Sequence, residues 1–395
     1  MKQPHVILRS ARPSTSDVFR GPAMNPSALE DAAAALRVEV DDIERSALPS
    51  ITRAGDVLAV APVIPMKLIE PLDGDPGANP TAAGNAWGVE AVGAHTSPFT
   101  GDGIVVAVLD TGIDPTHPAF QGVQLVQQDF TGQGNGDRNG HGTHCAGTIF
   151  GRDVNGVRIG VARGVKRALI GKVLAPGAGG SDQVANAIQW AMQNGANVIS
   201  MSLGIDFPGF VDEMIQRGLP PALATSRALE GYRANVQLFE RIAALLSIQS
   251  SFMQPAVIVA AAGNESLRGQ NPDFEIAVSP PAVSEGIVSV AALAQGTAGF
   301  TVALFSNTGA NVSGPGVDVL SARAGGGLRS LNGTSMATPH VAGVAALWAE
   351  KLRRNGPFNA LQLTNRLVGT AVSDGLAQGF DPFDVGAGMV RAPQA

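Results

Sequence analysis

The sequence predicts an α/β fold: a doubly wound, mostly parallel sheet with helices on both faces, plus a small α+β unit at the N-terminus. Three observations carry this expectation. Short apolar, β-branched runs recur at 103–109, 168–174, 198–203, 256–261 and 287–292. Such unbroken runs belong to strands buried on both faces, as in a parallel sheet. Helical patterns lie between several of them, and that alternation marks a doubly wound sheet. Glycine is abundant and aromatics make up only 5% of the chain, which suits close helix-on-sheet packing.

In chain order, residues 1–70 read as a separate unit. The run 5–8 is strand-like. Asn25-Pro-Ser-Ala-Leu-Glu30 opens a helix through the alanines at 32–35, with Asn25 or Ser27 as its cap. Residues 57–69 are extended, apolar and limited by Pro62 and Pro65, which predicts an edge strand. Proline, glycine and acidic residues then mark a linker or exposed processing segment, set at 71–86, and a main domain at 87–395. Within it, Ser181-Asp182 is expected to cap a helix that buries Val184, Ile188 and Ala191 and stops at Gly195. The stretch 205–255 is a long connection between two strands. Phe207-Pro-Gly-Phe210 and Leu219-Pro-Pro221 predict a structured loop. An amphipathic helix follows, with Leu229, Tyr232, Val236, Phe239, Ile242 and Leu246 on one face.

At 395 residues the chain has room for one large domain and one small one. A net charge of −6 argues against a nucleic-acid partner, whose binding surface is basic. Cys145 is the only cysteine, so no internal disulfide forms, and a lone thiol fits a reducing compartment. No apolar run reaches the length of a membrane span. The first nine residues hold a three-residue apolar core before Arg9, which is not a secretory signal. The expected location is the cytoplasm, unless a signal has been removed or export takes another route.

Four polar positions stand where buried runs end or helices begin. Ser335 lies at the turn-to-helix junction of Gly333-Thr-Ser-Met-Ala-Thr-Pro-His-Val-Ala-Gly343. First-turn N–H groups lack helical partners and favour an anion. Pro339 lacks an N–H, so the carbonyl of Ser335 loses its helical partner. Asp110 follows the run 103–109, and His141 follows Asn139-Gly140 at a helix start, with His144 one turn later. Asn264 ends the run that begins at 256. Each has a plain alternative: a cap, an Asx turn, a metal ligand, a turn residue. The His141–His144 spacing, with no acid between, does not match the zinc pattern, and His144 reads as a packed core histidine. Together the four meet the needs of acyl transfer: nucleophile, base, orienting carboxylate and oxyanion donor.

Asp110-Thr-Gly-Ile-Asp114, His141-Gly-Thr-His-Cys-Ala-Gly-Thr148, Ala262-Gly-Asn264 and the Ser335 block occur in this order. They resemble the signature blocks of the subtilisin-like serine peptidases, over nearly all of 87–391. The resemblance implies a serine endopeptidase with Ser335 as nucleophile, His141 as general base and acid, and Asp110 orienting the imidazole. Asn264 and the Ser335 N–H would form the oxyanion hole. Gly177, Ala178, Gly179 and Gly180 would pair with an extended protein or peptide substrate on one side, and Ser202, Leu203 and Gly204 on the other. Ala261, Ala262, Gly263 and Ser279 would line a roomy, uncharged pocket. Cys145 beside the second histidine resembles the proteinase K-like branch and implies a packed structural thiol.

The N-terminal unit resembles the family's propeptide, which assists folding and inhibits through its tail. Here the tail would lie near 66–72, with cleavage between about 70 and 86. The alternative is a zymogen-like or partner-controlled binding protein whose cleft the N-terminal unit holds shut. A nucleotide-binding α/β protein is disfavoured because no glycine-rich phosphate loop follows the first strand of the main domain. No cofactor is required. Many family members bind calcium through an Asp where this chain has Ala119, so no tight metal site is expected. Weak calcium binding at Gly151-Arg-Asp-Val-Asn-Gly156 is left open. The loop at 206–224 is expected to line or cover the non-primed cleft, or simply to lengthen a surface helix.

Overall fold

The structure is a computed structural model that describes residues 2–10, 36–74, 84–249 and 255–395. Its central sheet runs Gly299–Val302, Ile287–Gly296, Val257–Ala261, Val198–Met201, Val105–Asp110, Arg167–Lys172, Gln124–Asp129 in spatial order. Val312–Pro315 also pairs with Ile287–Gly296. The strands are parallel except Gly299–Val302, which returns antiparallel at one edge. Side chains alternate across the sheet as a pleated strand requires. Val106 and Val108 join a core with Cys145, Ile149, Met336 and Val341. Ala107 and Leu109 join the opposite core with Val184, Ile188, Phe239 and Ile242. The helices His141–Phe150 and Thr334–Arg354 thus cover one face, and Ser181–Gln193 and Pro221–Gln249 the other.

All five apolar runs become strands of this sheet. The edge strand Gln124–Asp129 carries three glutamines and only half-buries its apolar residues, so it lacked that signal. The helix expected from Asn25 lies outside the described residues. Lys2–Ser10 forms the middle of a three-stranded antiparallel sheet, flanked by Leu36–Glu44 and Val57–Pro62. Val57–Pro62 is an edge strand, as its prolines predict.

Three local expectations are corrected. Ser181 does not cap its own helix: the cap position is Gly180, and the Ser181 hydroxyl accepts the N–H of Ile64 (3.2 Å) from the N-terminal unit. The stretch after Ile205 is a helix, Phe207–Gln216, and not a loop. Asp206 accepts the N–H of Gly209 at its start, and Pro208 sits in the first turn, where no N–H is needed. The helix Pro221–Gln249 buries Ala224, Ala228, Leu238, Phe239, Ile242, Ala243 and Leu246, whereas Leu229 is 54% exposed. The stripe therefore shifts towards the small residues Ala224, Ala228 and Gly231. A Cβ on Gly231 would stand 3.2 Å from Pro62 and 3.3 Å from Ile64, so the N-terminal unit rests on this face.

Two further histidines are buried and resist protonation. His144 Nε2 lies 3.0 Å from the carbonyls of Val319 and Arg329, and burial followed by the charge of His141 lowers its pKa to about 3. Burial lowers that of His340 to about 4. Both values lie below the unfolded value of about 6.5. The unfolded chain therefore binds protons that the folded chain refuses, and stability falls as pH drops from about 6.5 towards 4. The melting temperature is expected to fall across that window, and His144→Gln to flatten the fall. A melting temperature that does not change there contradicts it.

Candidate active site

Asp110 ends an interior strand, at the carboxyl edge of the sheet where functional crevices form. His141 opens its helix. Glycine lets the two blocks meet. A Cβ on Gly142 would stand 2.2 Å from the carbonyl oxygen of Gly112, and one on Gly112 (φ +111°) 2.4 Å from that of Gly136. Hydroxyls then join the blocks. Thr111 accepts the N–H of Gly142 (3.0 Å) and donates to Asp137 (2.9 Å). Thr143 accepts the N–H of Asp114 (2.9 Å) and donates to Asp137 (2.6 Å). Asp137 also accepts the N–H groups of Asn139, Gly140 and Thr143.

His141 Nδ1 is consequently 2.8 and 3.0 Å from the two carboxylate oxygens of Asp110, and both side chains are 1% exposed. Burial opposes a charge on this imidazole. The Asp110 carboxylate outweighs it and holds the His141 pKa well above 6.5. His141 Nε2 is buried and without a hydrogen-bond partner among the described residues.

Ser335 is the second residue of the helix Thr334–Arg354 and is fully buried. Its carbonyl, freed by Pro339, accepts the thiol of Cys145 (3.3 Å) and the hydroxyl of Ser202 (3.3 Å). The Cys145 sulfur is 3.8 Å from His141 Nδ1, and burial pushes its pKa up. A buried, protonated thiol is a packing group and not a nucleophile. The carbonyl oxygen of Asn264 accepts the N–H (2.9 Å) and hydroxyl (2.8 Å) of Thr334. That fixes its orientation and leaves the amide N–H₂ facing the chain that crosses the site. Buried Asn307 holds the same loop by accepting the N–H groups of Glu265 and Ser266.

The chain that crosses is the protein's own. Met66–Leu68 pairs antiparallel with Leu203–Ile205, matching Leu68 to Leu203, Lys67 to Gly204 and Met66 to Ile205. On the other side Met66 donates to the Gly179 carbonyl (3.0 Å), and Pro65 bridges Gly180. Ile69 donates to the Ser202 carbonyl (3.4 Å). The carbonyl of Ile69 accepts the Ser335 hydroxyl (2.9 Å), and that of Glu70 accepts the Asn264 amide (2.9 Å). Beyond it, Leu72–Asp73 pairs with Leu331 and Asn332. Ile69 is 2% exposed. A Cβ on Gly204 would stand 3.7 Å from its Cγ1 and 3.0 Å from the Ser279 hydroxyl.

The expected wall residues divide accordingly. Gly179, Gly180, Ser202, Leu203 and Gly204 meet the segment, whereas Ala178 turns back onto Ala175 and Gly177 sits in that turn. Ala261 and Ala262 are buried behind Asn264, where Ala262 accepts the N–H of Ser279, and Gly263 donates to Thr334. Asp206 opens the stretch 206–224 expected beside the cleft, whereas Ile205, Asp137, Thr334 and Asn307 were not anticipated. Only Asp137 left a trace, as an acid in a polar, glycine-rich run before a helix start.

The residues at the family's calcium positions do not fit a tight site. Ala119 is fully buried and has no carboxylate. In the other loop the Arg152 guanidinium donates to the carbonyls of Phe150 (3.0 Å), Val165 (2.8 Å) and Arg163. A fixed cation already holds those oxygens.

The chain is similar in sequence and in fold to known peptidases. The subtilase family profile matches residues 101–388. Subtilisin Savinase from Lederbergia lenta is 34% identical over 317 residues, covering 78% of this chain and 97% of its own. An alkaline protease from Alkalihalobacillus alcalophilus is also 34% identical, covering 78% of this chain and 69% of its own. In fold, the chain resembles fervidolysin from Fervidobacterium pennivorans, a keratinolytic enzyme related to subtilisin. The TM-score is 0.67 at 24% identity, over 99% of this chain and 60% of that one. With a sheet-edge carboxylate against a helix-start imidazole, and a helix-start serine beside them, the chain belongs to the subtilase family of serine endopeptidases.

Proposed function

We propose that the chain is made as a precursor and hydrolyses extended peptides through an acyl-enzyme on Ser335. The observation that carries this is the crossing segment: the Ile69 carbonyl lies 2.9 Å from the Ser335 hydroxyl, within a strand bonded on both sides. Ser335 Oγ attacks the carbonyl carbon, and its proton passes to His141 Nε2. The imidazolium forms against Asp110, and the oxyanion is received by the Asn264 amide and the Ser335 N–H. His141 then protonates the leaving amine. Water, deprotonated by His141, releases the acyl group and restores the serine. No cofactor enters these steps.

The N-terminal unit acts as an intramolecular inhibitor and folding aid. It rests on two helices of the main domain, with Val38 donating to Gln189 and Asn235 to the carbonyl of Pro62. It feeds residues 64–73 along the cleft. The main-chain register favours Ile69–Glu70 as the processed bond, at the front edge of the window expected from composition. In the observed state the Asn264 amide engages Glu70 and the Ser335 hydroxyl engages Ile69, and His141 Nε2 takes no part. This is a plugged arrangement. It also favours the second reading, a binding protein whose cleft stays shut.

Hydrolysis of a chromogenic peptide, blocked by a serine-directed inhibitor, separates the two. Ser335→Ala is expected to lower hydrolysis on the order of a million-fold, as in subtilisins, and to keep the chain full length while the wild type shortens. If both stay full length and the wild type is fully active, the unit is not an inhibitor. The base must be neutral, and Asp110 holds the His141 pKa well above 6.5. Activity therefore rises with pH, with the acid limb of kcat/KM above 6.5; a limb below that value contradicts the assignment. Because the Arg152 guanidinium sits against the carbonyls of Phe150, Arg163 and Val165 around this loop, a chelator is expected to leave the melting temperature unchanged. A clear drop that calcium restores would reveal a tight site.

A further inference from the structure

The segment lying in the cleft is charged in a pattern that the cleft mirrors. Met66, Leu68 and Ile69 are buried, while Lys67 projects between them with its side chain 39% exposed. Its ammonium is 3.4 Å from an Asp206 oxygen and 3.6 Å from a Glu265 oxygen. These acids come from different walls. Asp206 follows the strand that pairs with the segment, and Glu265 follows Asn264. Past the reacting carbonyl the signs reverse. Asp73 pairs with Arg329 (2.6 Å). Arg138, Arg323 and Arg329 line a cavity of about 220 Å³ beside His141 that also touches Pro71.

We infer that the cleft is charge-polarised. It selects extended substrates with a basic residue two positions before the attacked carbonyl and an acidic residue on the leaving side. This rests on the proposed endopeptidase reaction, with Ile69 marking the attacked position. A basic side chain at the Lys67 position meets two carboxylates, and an acidic one there meets repulsion. The reverse holds on the leaving side, so one charge-swapped sequence is penalised at both ends. The Lys67 pairs are partly exposed and the Asp73 carboxylate is 87% exposed, which limits each to a modest share of selectivity and makes it sensitive to salt.

The test uses the wild-type protein as purified after expression of the whole chain, and internally quenched peptides built on residues 64–74 with Pro71 replaced by Ala. One carries Lys and Asp at positions 67 and 73, one carries Glu and Lys, and one carries Ala at both. Competition from the protein's own segment acts on all three and cancels in ratios of kcat/KM. At low salt the Lys/Asp peptide is expected to exceed the swapped peptide by roughly threefold to tenfold. The ratio should shrink at high salt and in the Asp206→Asn, Glu265→Gln double variant. That variant keeps oxygen acceptors for the N–H of Gly209 and the amide of Asn307. Equal kcat/KM for all three peptides overturns the charge inference alone. Hydrolysis of none overturns the endopeptidase reading, and the inference with it.

Discussion

The site depends on one buried contact, the hydrogen bond between Asp110 and His141. Both side chains are 1% exposed. A carboxylate removed from water without partners costs several kcal/mol, so the pair stands only if each group satisfies the other and their surroundings satisfy the rest. That requirement explains the residues around it. Thr111 donates its backbone N–H to Asp110 (2.7 Å), and its hydroxyl joins the strand block to the helix block through Gly142 and Asp137. The two glycines are there because the backbones approach too closely for a Cβ.

A second constraint lies in the helix that carries Ser335. Pro339 interrupts its hydrogen bonding one turn after the serine. An orphaned buried carbonyl is costly, and here Cys145 and Ser202 supply the missing donors. The helix irregularity thus ties three parts of the chain together: the histidine helix, the wall that pairs with Met66–Leu68 and the serine helix. Cys145 is better understood through this bond than through its reactivity.

The N-terminal segment shows what the cleft is shaped to hold. Main-chain bonds to Gly179 and Ser202 and the pairing with Leu203–Ile205 treat residues 64–70 as an added strand. Each such bond contributes only about 1 kcal/mol net. Docking of the three-stranded sheet on the helices Ser181–Gln193 and Pro221–Gln249 supplies the rest, by burying Val6, Leu8 and Ile64. The long connection after Ile205 supplies the second of these helices, and its first residue, Asp206, borders the cleft.

The sequence by itself determined the parts that depend on local pattern. Buried parallel strands are continuous apolar runs, and five of them were legible. Helix starts and a proline-interrupted helix were legible through backbone chemistry, as were the four polar residues at their ends. Tertiary structure decided what depends on distance in space. Nothing local distinguishes Ser181 as a cap from Ser181 as an acceptor for Ile64, or Leu229 as core from Leu229 as surface. The partner lies more than a hundred residues away in one case, and in the other a small-residue stripe takes the contact. Thr334 and Asn307 bear on the site through bonds to groups 70 and 42 residues distant, and Asp137 joins the two blocks through Thr111, 26 residues away. Whether Ile69 meets Ser335 was likewise undetermined by composition. It follows from where two helices seat the N-terminal sheet, because that seating sets the register of the strand entering the cleft.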